Sequence, residues 1–239
     1  AAGDAKPRSR DGRASFLEHP AVQPPSVLIL LGDDFNWDDL RSVATPHIDA
    51  LAARGMSFTN NYVFPQCSTT RYSLVFGRYP RRDGIGSLID SQPPSPGNPT
   101  PPLGLPSIAT VWSSTWTAPR TALIGKWHLG TNEFYDGDPG PDVGRADYGA
   151  LSPQLHGFDH FLAGTMSNPV RGTADGGYFN WMRVDDGVYS LSTTYAPTAQ
   201  LAAFRRFWNG ASTPCIAYVA PNLAHAPHER PPDDWLPPR

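Results

Sequence analysis

Polar side chains that can do chemistry follow three apolar runs of the sequence, at the point where each run ends. In chain order they are Asp33 and Asp34, Lys126 and His128, and His225 and His228. In open α/β sheets, ligands bind outside the carboxyl ends of the strands. If the three runs are parallel strands, their ends converge on one site.

Asp33 and Asp34 are adjacent carboxylates, which repel each other unless a cation neutralises them. Oxygen ligands of this kind suit a hard divalent cation. The alternative is that the pair only opens a loop or caps a helix, since aspartate favours both places. The buried run that precedes them favours the metal site.

Lys126 and His128 are two residues apart, so in an extended segment their side chains project to the same side. A fixed cation beside an imidazole suits an anionic substrate whose leaving oxygen needs a proton. A surface lysine and a packed histidine are the alternative for this pair alone.

Cys67 and Arg71 are four residues apart, about one turn of a helix that begins near the cysteine. A helix N-terminus offers free N–H donors to an anion, and the guanidinium adds a permanent cation with fork geometry. The pair therefore suits a nucleophile beside an anion site. The alternative is a buried cysteine and a surface arginine.

The elements around these residues predict an α/β fold with a mostly parallel sheet, because strands alternate with helices. The run 26–31 lacks alternation and predicts a strand buried on both faces. Further strands are predicted at 121–124 and 215–220. Helices are predicted at 45–55, 69–77 and 198–210, the second stopping at Gly77.

Three finer expectations concern the helices. In 45–55, Thr45 is the expected N-cap, and Ile48 and Leu51 share an apolar face. In 198–210, one side carries Leu201, Phe204 and Trp208. Residues 111–120 predict a poor helix because of their Ser/Thr content and Pro119.

Composition narrows the class of protein. The net charge of −3 argues against a generic nucleic-acid binder, and no apolar run approaches the roughly 20 residues of a membrane span. The two cysteines make no disulfide framework, and Cys215 is expected to be a small buried side chain. Residues 1–25 predict a mobile tail, and 91–106 and 131–150 predict long loops.

Six stretches together resemble the sulfatase family of the alkaline-phosphatase-like superfamily. In the family's order they are VLILLGDDFNWDDL, TPHIDALAARGMSFTNNYV, CSTTRYSLVFGRYPRR, TALIGKWHLG, HGFDHFLAG and YVAPNLAHAPHERPPDDWL. The resemblance spans about 26–239. It implies a three-layer sandwich around a mostly parallel sheet, with the C-terminal portion of the fold missing from this chain, so that 26–239 form an incomplete catalytic domain.

The resemblance also implies the chemistry at Cys67. In such enzymes this cysteine is oxidised to formylglycine, and the hydrated aldehyde offers two hydroxyls on one carbon. One attacks sulfur and the other later expels sulfate, which a thiol cannot do. Asp33, Asp34 and the modified Cys67 would hold one divalent cation, Ca2+.

The other site residues follow by the same match of motifs. Arg71 would stabilise the hydrate, Lys126 would grip sulfate oxygens, and His128 would hold the hydrate or take its proton. His228 would contact sulfate and help protonate the leaving oxygen, with His225 as its rival. The implied partners are a small-molecule or carbohydrate sulfate ester and a formylglycine-generating enzyme. The family's usual locations are secretory, lysosomal or periplasmic.

The sequence departs from the family pattern at two places near the cysteine. Thr69 stands where the family has a proline that the modifying enzyme recognises, and Phe76 replaces a usual threonine. Two alternatives therefore stay open beside a sulfuric ester hydrolase. One is a phosphoesterase or phosphonate hydrolase of the same superfamily, and the other is a non-catalytic remnant that binds a metal or an anion weakly.

Overall fold

The computed structural model describes residues 25–36, 38–89, 97–130, 149, 151–169 and 176–236. Apart from Pro25, the predicted N-terminal tail lies outside the described residues, and so does the predicted loop 131–150 apart from Gly149. In the described part, no helix is long and apolar enough to cross a membrane.

A six-stranded sheet organises the described chain, in the spatial order β1-β6-β2-β3-β4-β5. The strands are β1 Val27–Leu30, β2 Arg120–Lys126, β3 His160–Thr165, β4 Trp181–Asp185, β5 Val188–Ser192 and β6 Cys215–Ala220. The first four in spatial order pair in parallel, and β4 and β5 add an antiparallel edge. The predicted mostly parallel α/β sheet is confirmed.

Helices cover both faces of this sheet. They are α1 Asp39–Ser42, α2 Pro46–Ala52, α3 Cys67–Phe76, α4 Ile108–Thr115, α5 Ser152–Leu155 and α6 Ala196–Asn209. Short 3-10 helices span Pro80–Asp83 and Asp233–Trp235. Successive residues of β2 face opposite sides, with Leu123 in one apolar cluster and Ala122 and Ile124 in the other. The result is a three-layer arrangement.

The prediction that the first strand is buried on both faces is wrong for the described chain. β1 lies at the edge of the sheet, and Leu28 and Leu30 are 46% and 61% exposed. Its alternation of half-buried and exposed positions shows that only one face is covered. The prediction for 215–220 is confirmed, because every residue of β6 is buried.

α2 forms where it was predicted, with Thr45 at the N-cap position and Pro46 at the first helical position. The Thr45 hydroxyl binds the Asp49 carboxylate at 3.0 Å, however, and makes no bond to a backbone N–H. Ile48 and Leu51 are exposed. No described residue therefore covers the apolar face of this helix.

The side of α6 that carries the large apolar side chains is not its most buried side. Its buried positions include Ala199, Gln200, Ala203 and Phe207, whereas Leu201 is exposed and Phe204 and Trp208 are only partly buried. Small alanines let a helix lie close to a sheet, so they occupy the contact face and the larger side chains cover its margin.

A helix also forms where the sequence predicted a poor one. α4 begins at Ile108, because Ser107 accepts a hydrogen bond from the Thr110 N–H at 3.1 Å and Thr110 Oγ1 accepts one from the Ser107 N–H at 2.7 Å. This reciprocal capping box satisfies two free first-turn donors. The helix ends before Trp116 and Pro119, so only the second half of 111–120 is non-helical.

Candidate functional site

A cleft of about 590 Å3 opens at the carboxyl end of β1. Two segments line it, residues 31–36 after β1 and residues 63–66 before α3, together with Cys67, Thr70 and Arg71 of α3. Both predicted aspartates and Cys67 therefore lie on one cavity.

α3 presents Cys67 as its first residue and Arg71 one turn later. The helix is anchored by its buried side, which includes Tyr72 and Val75, and Gly77 ends it with a left-handed backbone, φ 63°. Cys67 is partly exposed and carries no disulfide. Its sulfur is thus accessible at a helix N-terminus, as the spacing of the pair predicted.

An irregularity in β2 aims Lys126 at the cleft. The pairing of β2 with β3 shifts register between Ile124 and Lys126. Gly125 lies between them with φ 91°, and a Cβ there would stand 2.2 Å from the Ala220 carbonyl oxygen. Only glycine fits this position, and bulges of this kind redirect neighbouring side chains.

Asp33 lies between two buried cations. Its Oδ1 is 3.3 Å from Arg71 Nη2 and its Oδ2 is 2.6 Å from Lys126 Nζ. All three side chains are at most 4% exposed. Two positive charges against one carboxylate leave an excess of positive charge at the floor of the cleft, and buried charges need partners. An anion is the partner that this excess favours.

His128 contacts Cys67 directly. Its Nδ1 is 3.0 Å from Cys67 Sγ and its Nε2 is 3.3 Å from Ser167 Oγ. Burial, and next the charges of Lys126 and Arg71, lower the pKa of His128 well below its ordinary value. The ring is therefore neutral, with one nitrogen accepting and one donating. Its backbone has φ 52°, a conformation that costs energy outside glycine and clusters at functional sites.

Ser167 and Asn168 contact the predicted site residues although the sequence analysis did not select them. Asn168 Oδ1 accepts a hydrogen bond from Lys126 Nζ at 2.9 Å, and Ser167 meets His128. Both residues follow the end of β3. The same rule that selected residues after the other strands would have found them, had 160–165 been recognised as a strand.

The segment after β6 brings His225 to the aspartates. His225 Nε2 lies 3.5 Å from Asp34 Oδ2, and the side chain of Asp34 is 65% exposed. His225 Nδ1 lies 2.9 Å from the Ala226 carbonyl oxygen, so this nitrogen donates and Nε2 faces the cleft. His228 is exposed. Of the two histidines that the sequence offered after β6, the structure thus brings His225 to the aspartates, whereas His228 is exposed.

The residues present offer the right kind of atom for a hard cation but too few of them. Among the described residues, no group of three or more His, Cys, Asp or Glu side chains is placed to hold a metal ion. Asp33 and Asp34 supply two carboxylates, and calcium takes six or more oxygen ligands. The described residues therefore supply part of the ligand set of a divalent cation, and not all of it.

The fold and the cleft define a three-layer α/β protein with a partly exposed cysteine at a helix N-terminus and buried cations beside it. The sequence profile described as Sulfatase matches residues 25–237, and this chain belongs to the sulfatase family. Arylsulfatase A of Bos taurus is 36% identical over 148 residues, which cover 59% of this chain and 25% of that protein.

Solved structures show the same fold. A Bacteroides fragilis structure described as a sulfatase superposes with a TM-score of 0.69 at 23% identity, covering 88% of this chain and 46% of its own. BT4656, solved in complex with its substrate D-glucosamine-2-N,6-O-disulfate, gives a TM-score of 0.59 at 19% identity, covering 84% and 35%. This chain spans less than half the length of each of these relatives.

Proposed function

We propose that this chain carries the catalytic cleft of a sulfuric ester hydrolase. The observation that carries the proposal is the contact of 3.0 Å between Cys67 Sγ and His128 Nδ1, beside the buried cations Lys126 and Arg71. A nucleophile position, a neutral base and an excess of positive charge meet within one cleft. Membership of the sulfatase family selects sulfate among the anions that such a cleft would attract.

Cys67 is the proposed nucleophile position, where oxidation to formylglycine would supply a hydrated aldehyde in place of a thiol. His128 lies on this group as a neutral ring, because its pKa is held well below its ordinary value. In the tautomer whose Nε2–H points to Ser167 Oγ, Nδ1 is free to accept a hydrogen bond from the oxygen or sulfur that Cys67 presents. Ser167 at Nε2 fixes the orientation of the ring.

Lys126 and Arg71 are the proposed ligands of the sulfate oxygens. They are oriented before substrate arrives, Lys126 by Asp33 and Asn168 and Arg71 by Asp33 and the Lys126 carbonyl oxygen, at 2.7 Å. Charges fixed in this way act on the developing negative charge of a transition state without reorganising.

His225 is the proposed acid for the leaving oxygen, in preference to His228. Its Nε2 lies 3.5 Å from Asp34 Oδ2, on the residue that lines the cleft, and is the nitrogen that would hand a proton to the leaving oxygen. His228 is exposed and follows three residues later. The geometry therefore favours the rival that the sequence left open.

Asp33 and Asp34 are the proposed protein ligands of a divalent cation, with modified Cys67 as a further one. Such a cation would polarise the nucleophile and the sulfate oxygens. The proposed partners are a sulfate ester and a formylglycine-generating enzyme. A sulfated carbohydrate is the proposed substrate class, since BT4656 was solved with one.

The test compares matched esters of one leaving group. The protein is produced with a formylglycine-generating enzyme, and release of 4-methylumbelliferone is followed from its sulfate and from its phosphate, with Cys67→Ala as control. We expect multiple turnovers on the sulfate that Cys67→Ala abolishes. Turnover of the phosphate alone, or sulfate turnover that survives in Cys67→Ala, would overturn the proposal.

A further inference from the structure

A buried hydrogen-bond network lies behind the cleft, and Asn222 is its centre. Asn222 follows β6 and is fully buried. Its side chain and its carbonyl oxygen are both hydrogen-bonded, each to a different part of the chain. The cleft residues proposed above do not include it.

The side chain of Asn222 holds the segment after β3. Its Nδ2 donates to the Ser167 carbonyl oxygen at 3.0 Å and to Thr165 Oγ1 at 3.1 Å. Its Oδ1 accepts from Gln200 Nε2 of α6 at 2.8 Å. Gln200 is itself buried, so the amide of Asn222 is fixed from the helix side while it fixes residues 165–167.

The backbone of Asn222 holds the segment that carries His225. Its carbonyl oxygen accepts from Tyr178 Oη at 2.7 Å and from the His225 N–H at 2.9 Å. Leu223 in turn accepts from the Asp33 N–H at 2.9 Å. Residues 222–225 are therefore joined both to the loop after β1, through Asp33, and to the network around Asn222.

We infer that Asn222 is a positioning residue that sets two sides of the cleft at once. Through Ser167 and Asn168 it fixes the partners of His128 and Lys126, and through residues 223–225 it fixes His225 against Asp34. The amide of Asn222 is itself satisfied at both its nitrogen and its oxygen, and buried hydrogen bonds of this kind rigidify the groups attached to them, whereas small misplacements of reacting groups cost large factors in rate. The expected loss in rate rests on the proposed sulfatase function, whereas the positioning of the two histidine rings does not.

The test uses three variants and two readouts. Asn222→Ala removes the amide, Asn222→Asp keeps its shape but loses both N–H donors, and Gln200→Leu removes only the bond at Asn222 Oδ1. Ser107→Ala is the control, since Ser107 is an equally buried hydroxyl donating to the His156 carbonyl oxygen at 2.6 Å in the cap of α4. The readouts are kcat and KM for a sulfate ester, and the 15N chemical shifts of the His128 and His225 rings.

We expect both Asn222 variants to lose on the order of 10- to 100-fold in kcat, with a smaller change in KM, and Gln200→Leu to lose less. The 15N chemical shifts of the two rings should change most in the Asn222 variants and less in Gln200→Leu. Ser107→Ala should change neither the kinetic constants nor the chemical shifts. Wild-type kcat and ring shifts in all three variants would overturn the inference, as would losses that match those of Ser107→Ala.

Failure of the proposed function gives a different result. If the wild-type protein hydrolyses no sulfate ester, the ring shifts still decide whether Asn222 positions His128 and His225. Should Asn222→Ala fail to fold, Asn222→Asp decides, because it keeps the shape of the side chain and loses only the N–H donors to Thr165 and Ser167. Unshifted rings in a folded Asn222→Asp protein contradict the inference.

Discussion

Cys67 Sγ lies 3.0 Å from His128 Nδ1, across 61 residues of sequence and between the first turn of α3 and the end of β2. Burial of His128, together with the charges of Lys126 and Arg71, lowers its pKa and keeps its ring neutral, so that one ring nitrogen is an acceptor. This contact links the nucleophile position to a base, and the proposed chemistry depends on it.

Asp33 and Asp34 should respond differently to the same substitution. Asp33→Asn removes the partner of two buried cations, and breaking such a group costs about 3–5 kcal/mol in the free energy of unfolding. Asp34→Asn changes a largely exposed carboxylate and should cost less than about 0.5 kcal/mol. Denaturant unfolding of both variants measures this, and equal losses would contradict the assignment of Asp33 as the neutralising group.

The two carboxylates should behave alike in a second measurement. Because both are proposed metal ligands, each Asn variant should weaken calcium binding, which isothermal titration calorimetry detects directly. Unchanged calcium affinity in Asp34→Asn, whose fold is expected to remain intact, would count against a shared cation site.

His225 and His228 form a matched pair three residues apart. We expect His225→Ala to lower kcat for a sulfate ester by on the order of 10²–10⁴-fold, as for a general acid, and His228→Ala to change it little. The larger loss should appear with esters of poor leaving groups, which need the proton most. A larger effect of His228→Ala would restore the assignment made from the sequence.

The sequence predicts several of the side chains that meet at the cleft, but not all of them. Asp33, Lys126 and His128 were found because each follows an apolar run, and the parallel pairing of β1, β6 and β2 brings those ends together. Ser167 was missed because β3 was not recognised as a strand. Residue spacing predicts neither the bulge at Gly125 nor the orientation of His225, because both depend on how neighbouring strands and loops pair.

Packing faces were harder to predict for a physical reason. Apolar side chains on β1 and α2 follow the patterns of buried elements, yet Leu28, Leu30 and Leu51 are exposed. Periodicity shows which side of an element is apolar, but it does not show whether another element covers that side. On α6 the pattern of large side chains did not reveal the most buried positions, because close contact with the sheet selected alanines there.

His156 should make stability fall with acid. Burial lowers its pKa to about 4 from the ordinary 6.5, so the unfolded chain takes up a proton near pH 6.5 and the folded protein only near pH 4. Its contribution is complete above pH 6.5 and is lost as the pH falls toward 4, by about 3 kcal/mol in total.

His156→Phe tests this, because it keeps an aromatic ring against Phe76 and Trp127. Between pH 6.5 and 4, the free energy of unfolding of the variant should fall less steeply than that of the wild type. The reason is that the variant lacks the one proton that His156 takes up on unfolding. Parallel pH profiles for the two proteins would show that His156 does not titrate in this way.

Thr69 should limit conversion of Cys67. Thr69 lies in the first turn of α3, where backbone N–H groups have no intrahelical partner, so proline is tolerated there. A proline at this position would remove the hydrogen bond that the Thr69 hydroxyl donates to the Gln66 carbonyl oxygen at 3.0 Å. Thr69→Pro should raise the fraction of formylglycine, whereas Thr69→Ala, which loses the same bond, should not. Equal fractions in all three proteins would remove Thr69 as the cause.

A peptide map around Cys67 tests the central claim most directly. The protein is produced with a formylglycine-generating enzyme, its multiple-turnover hydrolysis of a sulfate ester is measured, and the tryptic peptide that holds Cys67 is analysed by mass spectrometry. The account predicts a peptide in which the CH2SH group has become CHO, in a fraction that rises with the turnover rate. Sustained turnover by a protein whose Cys67 is found only as the thiol would contradict it.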